Sequence, residues 1–136
     1  MMNFIGGIIG LVVGTALGAS LGAFVLQFST NIIAGFKPTY GAAYFAHFVG
    51  GLATNVLGFV VMSIVVGTGN EMSLVGYGIV TIIEFALYSW LLGFTLECPY
   101  GGAIGFKMAS LIFLMHSVLV LAILFAGAVL FGLIIK

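Results

Sequence analysis

The sequence predicts an all-α integral membrane protein, an up-down bundle of four transmembrane helices whose first helix carries a glycine zipper. Composition is the first ground: of 136 residues 63% are hydrophobic and only 4% charged, with a mean hydropathy of +1.40. A soluble domain of this length needs far more polar surface than that. The second ground is length, because the apolar residues fall into four continuous runs, each with the ~20 residues needed to cross a ~30 Å hydrocarbon core. Such runs are too long and too unbroken for barrel strands, so helices are expected. The third ground is the connections, which are short enough to make successive helices antiparallel neighbours. One domain, residues 1–136, is all the chain holds.

The first span is expected over about residues 3–28. Gly6, Gly10, Gly14, Gly18 and Gly22 recur at every fourth position, with Thr15, Ala19 and Ala23 as a second row of small residues beside them. Residues four apart stack on one helix face, so this face is smooth. In water each interior glycine weakens a helix by roughly 1 kcal/mol relative to alanine. In lipid the same face is an association surface, since close backbone approach maximises packing. The row drifts by about 40° per step on a helix of 3.6 residues per turn, which suits an oblique small-xxx-small crossing. Its partner is either the chain's own later helices or another subunit. The run lacks the basic start of a signal peptide and is too long for a typical apolar signal core.

Ser29-Thr30-Asn31 and Gly35-Phe36-Lys37-Pro38 are expected to break the chain before a second span over about residues 39–66. Pro38 suits a first helical turn, where its missing N–H is harmless. The segment Gly67-Thr68-Gly69-Asn70-Glu71 then leads into a third span, about 73–96. Glu97-Cys98-Pro99-Tyr100-Gly101-Gly102 makes the last break, before a fourth span over about 107–135. Tyr40, Tyr44, Tyr77, Trp90 and Tyr100 read mostly as an interfacial aromatic belt. Lys37 and Lys107 share one side and only Lys136 lies on the other, so the positive-inside rule places loops one and three in the cytoplasm.

Several functions are excluded or disfavoured at this stage. Zero formal net charge gives no footprint for nucleic acid. A single cysteine, Cys98, excludes an intrachain disulfide and reads as an ordinary free thiol. No H-E-x-x-H motif is present, and Gly67-Thr68-Gly69 lacks the lysine and strand of a phosphate loop. The connections hold no extramembrane catalytic domain, so an enzyme is the less favoured reading.

What chemistry there is lies inside the spans. His47 follows Lys37 by ten residues and His116 follows Lys107 by nine. At ~1.5 Å per residue both histidines are expected about 14–15 Å beyond interfacial lysines, near the midplane. Glu84 lies thirteen residues from both Glu71 and Glu97, and is expected at the same depth. Polar stripes accompany these groups: Ala43, His47, Gly51 and Asn55 in span two, Tyr77, Thr81, Glu84 and Tyr88 in span three, and Ser110 and Ser117 near His116. Polar groups on membrane helices face the bundle interior or a wet cavity. An isolated ionised carboxylate at mid-membrane costs about 2.5–3.5 kcal/mol on insertion scales, so Glu84 is expected to be hydrogen-bonded or paired.

Four readings of that centre follow. The first is structural, a buried hydrogen-bond network of Glu84 with a histidine, Asn55 or Tyr88 that fixes helix register. The second is a proton or cation relay through Glu84, Tyr88, Thr81 and Asn55. The third is a b-type haem held between His47 and His116 for electron transfer. The fourth is a metal ion on His47, Glu84 and His116, a two-histidine, one-carboxylate set. The sequence favours the first, in a small polytopic subunit with an accessory role. Its partners are then the lipid bilayer and either further copies of itself or other membrane subunits, met through the zipper, while the cofactor is left open between none, haem b and a metal ion.

Overall fold

The computed structural model describes residues 2–68 and 72–134. Four helices follow in order: α1 Met2–Ala34, α2 Tyr40–Gly67, α3 Leu74–Thr95 and α4 Gly105–Ile134. All four are long and apolar enough to cross a membrane. Each packs on the two beside it, with α1 and α4 closing the ring, while the backbones on the diagonals stay apart. The chain is thus an all-α, four-helix membrane bundle.

The helix boundaries correct two expectations. Ser29-Thr30-Asn31 does not end the first helix, which continues to Ala34. The Ser29 hydroxyl donates to the Val25 carbonyl at 2.8 Å and Thr30 to Leu26 at 2.8 Å, so both polar groups are satisfied within the helix that was expected to break at them. The stop is Gly35, with φ 72° and its N–H on the Asn31 carbonyl at 3.2 Å, a left-handed cap that favours glycine. Pro38 does not sit in the first turn of α2 either. Thr39 is the cap, its hydroxyl accepting from the Ala42 N–H at 3.2 Å, and Pro38 precedes it. The Pro38 carbonyl accepts from the Gln27 side-chain amide at 2.7 Å, tying loop one back to α1.

Ser73 caps α3 by accepting from the Gly76 N–H at 3.1 Å. Glu71, used above to set the depth of Glu84, lies outside the described residues, as do Asn70, Ile135 and Lys136. Loop three closes on itself. Gly101 N–H donates to the Cys98 carbonyl and Cys98 N–H to the Gly102 carbonyl, both at 2.9 Å, and Glu97 pairs with Ala103 as an antiparallel bridge. Gly101 and Gly102, at φ 91° and 86°, hold backbone that a side chain would strain. Helix α4 consequently starts at Gly105, two residues ahead of Lys107.

Burial is uneven along the bundle. Ala23, Leu26, Ala43, Ala46, Tyr88, Leu92, Leu96, Ala109 and Ile112 form the core, all in the half of the bundle that ends in loops one and three. Here α3 and α4 touch by backbone: a Cβ on Gly93 would come within 2.9 Å of the Gly105 carbonyl. At the other end the helices bury little against one another. Residues 121–131 of α4 are exposed on every face, and so are residues 6–10 of α1.

Candidate functional site

The two small-residue rows of α1 separate. Thr15, Ala19 and Ala23 are buried against the chain's own helices. Gly6, Gly10, Gly14 and Gly18 are not: nothing lies within 4 Å of where a Cβ on any of them would sit. Gly22 belongs with the inner row, because a Cβ there would overlap the His47 imidazole. The five glycines therefore do not act as one surface; the helix turns Gly22 inward while the four before it face out.

Gly22 opens the space in which the polar centre forms. His47 from α2 and His116 from α4 meet across a diagonal of the bundle, ring centroids 4.8 Å apart and planes inclined at 52°. The Tyr88 hydroxyl from α3 is hydrogen-bonded to His47 Nδ1. Tyr88 lies flat on Phe113 of α4, centroids 4.1 Å apart at 19°, and reaches the axis because Gly50 of α2 carries no side chain in its way. Each helix thus supplies either a polar ring or the gap that admits one. His116 is 4% exposed, and its Nδ1 has no hydrogen-bond partner among the described residues.

One turn toward loops one and three stands an apolar layer. Leu26, Ala43, Leu92 and Ile112 lie four residues from Gly22, His47, Tyr88 and His116 respectively, and all four are fully buried. They close the axis on that side. Below the cluster the α1–α2 seam carries a second bond, from the Asn55 amide to the Thr15 hydroxyl at 2.9 Å, and Thr15 in turn donates to the Leu11 carbonyl at 2.7 Å.

Glu84 stands apart from the histidines, contrary to the common depth expected. Its Oε1 lies 3.2 Å from a Cβ position on Gly58, and Gly58 is eleven residues beyond His47, about 16 Å along α2. The equal spacing from two acids fixed the middle of α3, but His47 lies only seven residues past the start of α2, since Lys37 precedes that helix rather than opening it. Among the described residues no three His, Cys, Asp or Glu side chains are grouped to hold a metal ion, so His47, Glu84 and His116 are not a ligand trio as placed. A haem does not fit between the histidines either. The rings are in contact, His47 Nδ1 is engaged by Tyr88, and the Nε2 edge is packed against Gly22, leaving no gap for a macrocycle between them as placed.

The four relay candidates are also dispersed. Tyr88 is bonded to His47 and Asn55 to Thr15, while Thr81 is exposed and donates to the Tyr77 carbonyl of its own helix at 2.9 Å. Ser110 and Ser117 likewise bond their own helix, each at 2.9 Å. Sequence reasoning missed Phe113, the platform for Tyr88. Its signal was present: Phe113 and His116 are three apart and share a face of α4. It also missed Ser89, fully buried beside Tyr88, whose hydroxyl has no hydrogen-bond partner among the described residues. Comparison with protein-family models, curated proteins and solved structures finds no significant match.

Proposed function

We propose that this protein is a small accessory membrane subunit that self-associates, or docks into a larger membrane complex, through the outward glycine row of α1. One observation carries the reading. Gly6, Gly10, Gly14 and Gly18 form a smooth strip that the chain's own helices leave open, although the adjoining Thr15, Ala19 and Ala23 strip is fully used inside the bundle. Between apolar helices in lipid, such strips are where backbones meet, commonly at a right-handed crossing of about −40°. In this reading the imidazole–phenol cluster is a register device. It joins α2 to α3 by the Tyr88–His47 bond and sets His116 of α4 against the same imidazole, behind an apolar layer that closes one side of the axis.

The test replaces Gly14 and Gly18 by leucine in the full chain. The expected outcome is loss of the higher-order assembly in native lipid nanodiscs, with the helical content and unfolding temperature of the single chain retained. An assembly of unchanged mass would remove the proposal. A proton or cation relay makes the opposite demand, that Glu84→Gln abolishes flux into liposomes while assembly is untouched.

A further inference from the structure

The tightly packed end of the bundle carries a cavity of about 460 Å³ between loops one and three. Its wall includes Lys37 from loop one and Glu97 from loop three. These are two of the six charged side chains in the whole chain. Both are exposed, and no ion pair joins them. A cation and an anion held across one cavity without neutralising each other leave both free for a ligand that carries both charges.

The helix ends reinforce the same polarity. Thr39 and Ala42, in the cavity wall, are the cap and first turn of α2, and that turn contains no acidic side chain. Thr95 and Leu96, in the opposite wall, are the end and cap of α3, whose last turn contains no basic side chain. The start of a helix is equivalent to roughly +0.5 elementary charge and the end to roughly −0.5. The positive end of α2 therefore lies on the Lys37 side, and the negative end of α3 on the Glu97 side.

Depth and lining narrow the ligand. The cavity lies where two spans end, the level of lipid headgroups flanking a ~30 Å core. Phe45, 58% exposed, continues from the cavity wall onto the lipid-facing surface of α2, where an acyl chain would run. On the negative side the Glu97 carboxylate is an acceptor, and it calls for a cation with N–H donors.

We propose that this cavity binds the headgroup of a zwitterionic aminophospholipid, its phosphate at Lys37 and the start of α2, its primary ammonium at Glu97 and the end of α3. The proposal is independent of the glycine row, which lies on another face of the molecule. Loop one is held in place by the Gln27–Pro38 bond and loop three by its internal bridge, so the cavity is formed before a lipid arrives.

Native mass spectrometry of the full-length protein, delipidated in detergent and exposed separately to phosphatidylethanolamine, phosphatidylcholine and phosphatidylglycerol, tests it. Phosphatidylethanolamine is expected to be retained about tenfold better than either other lipid, a ratio within reach of one or two charge-assisted contacts. Lys37→Gln should abolish that preference. Glu97→Gln should invert it toward phosphatidylglycerol, because the phosphate side survives alone. Equal retention of the three lipids would overturn the proposal, and so would a choline lipid binding as well as the ethanolamine lipid. A preference unchanged by either substitution would place the lipid elsewhere and overturn it too. Both positions are exposed, and matching melting curves for the variants would show that the fold is kept.

Discussion

His47 rests against Gly22 so closely that one added methyl group on α1 would occupy the space of its imidazole ring. Gly14, two turns earlier in the same zipper, has nothing within 4 Å of the corresponding point. Two glycines of one repeat thus differ completely in what they permit.

That contrast makes the first prediction. Gly22→Ala must displace the His47 imidazole within a packed layer that already holds Tyr88 and His116, and is expected to destabilise the single chain by about 1–3 kcal/mol. Gly14→Ala is expected to change it by no more than about 0.5 kcal/mol. Unfolding in mixed micelles, followed by tryptophan emission from Trp90, would report both. Equal effects would mean that the His47–Gly22 contact does not exist in the membrane.

Tyr88 contributes a ring and a hydroxyl, and the two can be separated. Tyr88→Phe keeps the stack on Phe113 and the fit over Gly50, and removes only the bond to His47. The expected loss is about 0.6–1.7 kcal/mol, the range found for interhelical hydrogen bonds in membranes. Tyr88→Ala also empties the layer and should lose about 3–5 kcal/mol, by analogy with other aromatic truncations. A phenylalanine variant as damaged as the alanine variant would assign the hydroxyl, not the ring, as the main contributor.

Glu84 and His47 are predicted to be energetically independent. With the carboxylate beside Gly58, about three turns from His47 along α2, Glu84→Gln and His47→Ala should add to within about 0.5 kcal/mol in the double variant. A larger coupling, measured by a double-mutant cycle in the same micelles, would return Glu84 to the histidine cluster.

The spans were legible because continuous apolar runs of this length have one stable outcome in lipid. Their ends were less so. Ser29 and Thr30 look like a break in a linear string, yet a hydroxyl that bonds the carbonyl four residues back is at home inside a helix, and only the three-dimensional ladder shows it. A similar depth for His47 and His116 was legible from their spacing to Lys37 and Lys107, but their meeting across the bundle was not, because spacing along one helix carries no lateral information. Glu84 was misplaced because symmetry within α3 carries no information about its vertical offset from α2. That offset is set by packing pairs, Gly50 with Tyr88 and Gly58 with Glu84, which no periodicity within a single helix encodes. The division of the glycine row was hidden for a related reason, since a straight helix rotates a four-residue repeat steadily out of any one interface.

The confinement of the core to one end has a mechanical consequence. Helix α3, of 22 residues, is about 33 Å long, close to the hydrocarbon thickness, whereas α1, of 33 residues, is about 50 Å. A helix so much longer than its surroundings must lean or protrude, and a bundle fastened along its whole length would transmit that lean to every neighbour. Here the fastening is at loops one and three, and the far ends of α1 and α4 are free to change inclination about it. Hydrophobic mismatch between thinner and thicker bilayers is thereby absorbed at the unfastened end, leaving the His47–Tyr88–His116 layer undisturbed.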